Sequence, residues 1–166
     1  MIFASEIIVI LLFYHKKMTA MKKLFVTLIA LFSIGTFVAV ADNDRIIAKE
    51  SLPHAAQQFI SSYFGDVNIT YVKEEHGFFE KSYEVVFADG AKVEFARSGE
   101  WKEVDCRRSS VPSPIVPDKI LKYVKANYPD AKVMQIERDK NDYEVRLSNR
   151  LELTFDKAFN IIDIDD

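Results

Sequence analysis

The second half of this 166-residue chain repeats the apolar pattern of the first half. When Pro53 is placed on Pro117, residues 52–72 and 116–136 run in step without a gap, and after a four-residue length difference residues 82–105 follow residues 142–165. The identical pairs are Pro53/Pro117, Asp66/Asp130, Tyr83/Tyr143, Glu84/Glu144, Val85/Val145, Phe95/Phe155 and Asp105/Asp165. A duplication of this kind predicts that one structural unit occurs twice.

Each copy is predicted to begin with an amphipathic helix of about three turns. In the first copy, Ser51 is expected to cap a helix whose first turn contains Pro53, where the missing N–H costs nothing. Gly65–Asp66 ends this helix, and Pro129–Asp130 ends the matching helix of the second copy. The apolar stripes of the two helices are formed by Ala56, Phe59, Ile60 and Tyr63 or Phe64, and by Ile120, Tyr123, Val124 and Tyr128.

The residues after each helix alternate between apolar and polar, which is typical of strands with one buried face. Asp89–Gly90 is a hairpin turn signal, because glycine adopts positive φ at no steric cost. In the second copy Arg150 replaces that glycine, so Asn149 alone is expected to supply the left-handed residue. We therefore predict an α+β fold of two tandem repeats, each with one helix packed on an antiparallel sheet of about four strands.

The repeats are assigned to residues 52–106 and 115–166, separated by a polar, proline-marked linker at 107–114. A copy of about 55 residues buries little surface by itself. We therefore expect the two helices or the two sheets to share an interface.

The N-terminal residues have the pattern of an export signal. Lys22 and Lys23 precede an uncharged stretch that ends in Ala39-Val40-Ala41, so residues 21–41 are predicted to be a signal peptide cleaved after Ala41. Residues 1–20 are interpreted as an over-extended start of the reading frame, with a two-segment membrane hairpin as the alternative. Residues 42–51 are expected to be flexible. The predicted location is periplasmic or secreted, with no membrane association of the mature form.

The charge of the mature chain argues against a nucleic acid partner. Residues 42–166 carry 18 Lys and Arg against 24 Asp and Glu, a net charge of −6, because four lysines and one glutamate precede them. Such an acidic domain repels polyanions. The single cysteine, Cys106, cannot form an internal disulfide and either pairs between chains or lies buried at a strand end.

Several segments together resemble a known family: LPHAAQQFISSYF, YEVVFADGAKVEF with GEWKEVDC, and IVPDKILKYVKANYP with YEVRLSNRLELTFD. The chain resembles the PepSY-like, beta-lactamase-inhibitor-like (BLIP-like) family of small exported bacterial proteins over residues 52–166. The resemblance implies two tandem α+β repeats in the periplasm and no established activity for most members. The name derives from secreted inhibitors that clamp a beta-lactamase on the exposed face of their sheets. Arg150 and Phe159 depart from the glycines expected in the second-copy turns.

The sequence contains no signature of catalysis. A glycine-rich phosphate loop, a GxSxG motif and an HExxH motif are all missing from it. Glu74, Glu75 and His76 could ligate a metal, but neighbouring strand residues point to opposite sides. Carboxylates at 163–166 could bind calcium weakly, or they form a solvated chain end. We therefore predict no enzyme, no catalytic residue, no cofactor and no metal site.

The predicted function is binding of an envelope protein, whose identity the sequence does not give. Phe78 and Phe79 lie in the longer loop of the first copy and suit protein recognition, or Phe79 packs on the core edge. Trp101 completes the core or marks the middle of a binding face. The expected site residues are Phe78, Phe79, Trp101, Glu84, Lys92 and Glu94. The hypothesis is a periplasmic protein-binding module, such as an inhibitor of an envelope hydrolase, and the alternative is a small-ligand or cation sensor; the oligomeric state is not predicted.

Overall fold

Residues 44–77 and 80–166, which the computed structural model describes, form one antiparallel sheet of nine strands in chain order, together with two α-helices. The helices are α1 (His54–Tyr63) and α2 (Asp118–Asn127), and short 3-10 turns occupy Lys49–Ser51 and Ser113–Ile115. The strands are β1 (Arg45–Ile47), β2 (Ile69–His76), β3 (Lys81–Phe87), β4 (Lys92–Ala96), β5 (Trp101–Asp105), β6 (Val133–Arg138), β7 (Asp142–Leu147), β8 (Glu152–Asp156) and β9 (Ile161–Asp165).

The prediction of two tandem repeats, each with its own four-stranded sheet, is wrong. β5 pairs directly with β6, with Glu103 opposite Glu137 and Val104 opposite Ile136, so one sheet continues through the middle of the domain. Two separate sheets would each leave an edge strand with unpaired backbone N–H and C=O groups at this position. Pairing β5 with β6 satisfies these groups.

A strand also lies in the segment that was expected to be flexible. Arg45–Ile47 forms β1 and pairs antiparallel with β2, where Arg45 lies opposite Glu74. The Arg45 Nε donates a hydrogen bond of 2.8 Å to Glu74 Oε1. This ion pair holds a strand of only three residues at the edge of the sheet.

Both helices cover the same face of the sheet. An unbroken row of directly opposed apolar residues crosses this face: Val72, Val85, Val93, Val104, Ile136, Val145 and Leu153. The ring of Phe59 in α1 packs edge-on against Phe95, with centroids 5.6 Å apart, and Tyr123 of α2 packs in the same way on Phe155 at 5.4 Å. The helices leave the opposite face, here called the open face, uncovered.

Each helix begins directly after a proline. The carbonyl of Pro53 accepts a hydrogen bond from Gln57 N at 3.1 Å, and that of Pro117 accepts one from Leu121 N at 3.0 Å. Ser51 lies in a 3-10 turn and makes no capping bond to α1. The expected capping role of Ser51 is therefore wrong, and so is the position of Pro53 in the first turn, because Pro53 is itself the N-cap residue, with an extended ψ of 145°.

The turns of the second half take positive φ without glycine. Gly90 and Gly99 have φ of 90° and 86°, and Arg150 and Phe159 have φ of 77° and 65°. Asn149 does not supply the left-handed residue; its side chain instead accepts a hydrogen bond from the backbone N–H of Leu151 at 3.3 Å. The close pairing of the flanking strands therefore imposes the left-handed conformation on whichever residue occupies this position.

Three further observations concern single features of the chain. Cys106 is buried, as expected from its strand-end position, with 1% of its surface exposed. Neither helix of the described residues is long and apolar enough to cross a membrane. The predicted extension 1–20, the signal peptide 21–41 with its cleavage site, and the loop residues Phe78 and Phe79 lie outside the described residues.

Candidate functional site on the open face

A row of five glutamates crosses the centre of the open face, one on each strand from β3 to β7. Every member lies directly opposite the next across a pair of antiparallel strands. Neighbouring strands are about 4.7–4.9 Å apart, so these carboxylates are adjacent to one another. We call this set the glutamate row: Glu84, Glu94, Glu103, Glu137 and Glu144.

The strand alternation explains why these side chains share one face. Each glutamate is next in sequence to a buried residue of the apolar row, and neighbouring strand residues point to opposite sides. Val85, Val93, Val104, Ile136 and Val145 face the helices. Their glutamate neighbours therefore face away from the helices.

Two lysines lie close to the first three glutamates of the row. The Lys92 Nζ lies 3.7 Å from Glu84 Oε2 and 3.5 Å from Glu103 Oε2, and the Lys102 Nζ lies 3.4 Å from Glu94 Oε1. Burial alone would lower the pKa of Lys92, but the carboxylates of Glu103 and Glu84 outweigh this effect and raise it. The three carboxylates at this end of the row thus share two lysines, and each has a cation nearby.

The last two glutamates lack such compensation. Among the described residues, no lysine, arginine or histidine nitrogen lies within 4.0 Å of the carboxylates of Glu137 or Glu144. Burial, followed by the charges of Glu103 and Asp139, raises the pKa of Glu137. Burial and the charge of Glu152 raise the pKa of Glu144. Among the described residues, the carboxylates of the row that have no ion-pair partner are therefore on β6 and β7, where Arg146 of β7 is paired with Glu152.

The structure brings three of the predicted site residues together. Glu84, Lys92 and Glu94 lie on the open face, at the end of the row where the lysines are. Sequence reasoning missed Glu103 and Glu137, although each flanks a single apolar residue of the kind that marks a half-buried strand. The role of Glu84, Lys92 and Glu94 in binding a partner stays a prediction.

Trp101 does not belong to this face. It is half-buried on the helix side, where its ring centroid lies 6.4 Å from that of Phe59 and 4.6 Å from Arg138 Cζ. A register shift between Glu94 and Phe95 places Trp101 opposite the buried Phe95. The core interpretation of Trp101 thus fits the structure better than a position in the middle of the open face.

The Glu74-Glu75-His76 segment forms ion pairs instead of a metal site. Buried Glu74 contacts the Nζ of Lys81 at 2.5 Å, and the hydrogen bond from Lys81 is the main reason why its pKa is lowered. Glu75 points to the other side of the strand and contacts Lys73 at 2.7 Å. Within residues 44–77 and 80–166, no three His, Cys, Asp or Glu side chains converge to hold a metal ion.

The chain is similar to a known family and to solved structures. Residues 81–163 match the family described as "putative beta-lactamase-inhibitor-like, PepSY-like". A "putative calcium-regulated periplasmic protein" of Bacteroides thetaiotaomicron is 56% identical, with a TM-score of 0.74 over 76% of this chain and 99% of that one. No curated protein matches the chain.

Two solved structures from Bacteroides vulgatus are also similar. One, from a domain family of unknown function, is 52% identical, with a TM-score of 0.74 over 76% of this chain and 99% of that one. The other, of unknown function, is 40% identical, with a TM-score of 0.72 over 75% and 100% of the two chains. All three solved proteins are described as periplasmic, which supports a periplasmic location here. None of these descriptions names an enzymatic activity.

Proposed function

Because this chain belongs to the PepSY-like, beta-lactamase-inhibitor-like family, we propose that it is a periplasmic module that binds an envelope protein on the open face of its sheet. The glutamate row is the observation on which this proposal depends. The partner is expected to present a basic surface to β6 and β7, where the negative charge of the row has no counter-ion.

The energetic argument starts from the arrangement of like charges. Two like charges directly opposite each other on neighbouring strands destabilise a sheet, by up to about 1 kcal/mol. Burial of Glu137 and Glu144 adds to this cost, since it raises the pKa of both carboxylates. Lysine or arginine side chains of a partner would attract these carboxylates and offset the repulsion between them, an electrostatic gain that the isolated protein lacks.

The lysines at the other end of the row contribute orientation. Lys92 and Lys102 make the β4–β5 part of the face mixed in charge, whereas β6 and β7 carry only carboxylates in the row. A charge pattern that changes along the face selects one orientation of a partner. Inhibition of an exported hydrolase is the specific form of binding that the family name suggests, and Phe78 and Phe79 remain predicted aromatic contacts.

The proposal is tested by affinity capture from a periplasmic extract, with residues 42–166 as bait at low and high salt. We expect at least one partner whose retention falls with salt and is lost with the double variant Glu137→Gln/Glu144→Gln. Glu100→Gln, an exposed carboxylate outside the row, is the matched control and should retain the partner. Equal retention by the double variant and the control would show that the glutamate row does not bind the partner.

A second candidate function is a response to calcium. The relative that is 56% identical is described as calcium-regulated, and carboxylates are the ligands that calcium prefers. Calcium needs six to eight oxygen ligands, more than Glu137 and Glu144 supply. An ion on the row would therefore complete its coordination with water or with groups of the partner.

Titration calorimetry separates the two candidate functions. A calcium response predicts heat on addition of calcium chloride, little heat with magnesium chloride, and loss of the signal in Glu137→Gln/Glu144→Gln. Capture that depends on the glutamate row in the presence of a chelator would favour direct protein binding. A flat calcium titration would eliminate the calcium candidate without affecting the first proposal.

A further inference from the structure

A cleft of about 570 Å³ lies at the end of the sheet where β5 and β6 stop pairing. The ladder between these strands runs from Asp105 opposite Gln135 to Glu103 opposite Glu137, so Trp101 lies beyond it. The cleft is lined by two aromatic and four cationic side chains: Trp101, Tyr143, Lys102, Arg138, Lys140 and Lys157. Its volume falls in the range of about 300–1,000 Å³ that is typical of small-ligand sites.

Arg138 is the central cation of the cleft. It is half-buried, its Cζ lies 4.6 Å from the Trp101 ring centroid, and its Nη2 donates a hydrogen bond of 2.7 Å to the Trp101 carbonyl. Among the described residues, no carboxylate oxygen lies within 4.0 Å of this guanidinium. The ring and the carbonyl therefore fix the cation without neutralising it, and further N–H groups remain for a ligand.

Lys157 is held in the same manner. Its Nζ lies 4.4 Å from the Tyr143 ring centroid and donates hydrogen bonds to the carbonyls of Asp139 and Asp142, the latter at 3.1 Å. In the part of the chain that the structure describes, it makes no ion pair. Aromatic rings and carbonyls thus position two cations on one cleft.

The acidic residues of the cleft restrict the charge of a ligand. Glu80, Glu100 and Asp139 also line it, and Lys102 is already paired with Glu94. A planar guanidinium matches either a carboxylate or a phosphate, but three nearby carboxylates repel a doubly charged group more strongly than a singly charged one. A carboxylate therefore fits better than a phosphate.

We propose that this cleft is a binding site for a small carboxylate ligand, with Arg138 as the bidentate donor and Lys157 as the second cation. Both proposed donors lie on the opposite face from the glutamate row, although Lys102, which also lines the cleft, is paired with Glu94 of that row. Arg138 lies in register with Tyr143, and Tyr143 with the buried Phe155, which places all three on the helix side of the sheet. The inference therefore does not depend on the proposed function.

Trp101 provides a direct readout because it is the single tryptophan of the chain. The test titrates the protein with N-acetylglycylglycine, with the corresponding C-terminal amide, and with inorganic phosphate. We expect a saturable change in tryptophan fluorescence with the acid, with a Kd of about 1 mM or lower. The amide and phosphate should bind at least about tenfold more weakly. Equal responses to acid and amide, or none to the acid, would overturn the proposal.

Variants test whether the two cations bind the acid. Their affinities for the acid are measured by calorimetry, because Arg138 contacts Trp101 and its replacement would itself change the fluorescence. Arg138→Gln should weaken binding of the acid by about tenfold or more, and Arg138→Lys should be intermediate because it keeps charge but loses the fork. Arg107→Gln, at an exposed arginine paired with Asp105, is the control and should bind normally. Lys157→Gln, at an exposed position, tests the site if Arg138→Gln fails to fold. Unchanged affinity in both cation variants would refute the assignment.

Discussion

Replacement of Glu137 by glutamine should stabilise this protein at neutral pH. The Glu137 carboxylate lies between those of Glu103 and Glu144, and no cation of the described residues lies within 4.0 Å of it. Each directly opposed like-charge pair costs about 0.2–1 kcal/mol. Removing one charge eliminates two such pairs, so Glu137→Gln should raise the free energy of unfolding by about 0.4–2 kcal/mol at pH 7.

The gain should depend on pH in a defined direction. The pKa of Glu137 in the folded state is raised above its ordinary value of 4.5, first by burial and then by the charge of Glu103. The folded state therefore binds the proton more tightly than the unfolded state does, and the charged form is penalised above the folded pKa. As pH falls through that pKa and then below 4.5, both states become protonated and the stabilisation by Glu137→Gln should disappear.

Urea unfolding at pH 7 and below pH 4.5, at low and high salt, measures these free energies. Glu94→Gln is the matched control, because Glu94 also faces two glutamates but has Lys102 at 3.4 Å. Loss of that ion pair should offset most of the relief, so we expect little change in stability. A destabilised Glu137→Gln at pH 7, or a gain that persists at acidic pH, would refute the view that the row is electrostatically unbalanced.

Three further predictions concern turns and the buried thiol. Gly99→Ala should destabilise the protein by about 1–3 kcal/mol more than Gly90→Ala. The reason is that a Cβ at Gly99 would lie 2.7 Å from Pro53 Cβ, whereas a Cβ at Gly90 has no neighbour within 4 Å. Equal losses of stability in urea unfolding would contradict this contact. Arg150→Gly should raise the free energy of unfolding by about 0.5–1 kcal/mol, because glycine tolerates the positive φ of 77° at this position. A lower thermal midpoint for the variant would show that Arg150 is not strained. Burial raises the pKa of Cys106 to about 11, so iodoacetamide at neutral pH should modify it only in denaturant, and rapid labelling of the native protein would disprove burial.

The periodic features of the chain were predictable, because they depend on neighbouring residues. The alternation around Tyr83 to Phe87 and around Tyr143 to Leu147 is enough to place β3 and β7, and it also places Glu84 and Glu144 on the face away from the core. The joining of β5 to β6 was not predictable in this way. Glu103 and Glu137 are separated by a linker and a helix, and nothing within either strand specifies its partner or register.

Trp101 shows a second limit of periodicity. Strict alternation from the buried Val104 would place Trp101 on the open face. The register shift between Glu94 and Phe95 instead brings it to the helix side. Its contact with Arg138 joins two residues 37 positions apart. The cleft therefore depends on a bulge and on the β5–β6 pairing, and neither has a signal in the local sequence.

The register of β6 links the two proposed sites. Glu137 and Arg138 are adjacent in sequence; the first belongs to the glutamate row on the open face, and the second contacts Trp101 on the helix side. A slip of one residue would exchange these faces and place a cation in the row and a carboxylate against the ring. Fully buried Ile136 opposes this slip, because it must remain between Val104 and Val145 in the apolar row. Substitutions of Ile136 should therefore impair both sites together, whereas Glu137→Gln and Arg138→Gln should each impair one.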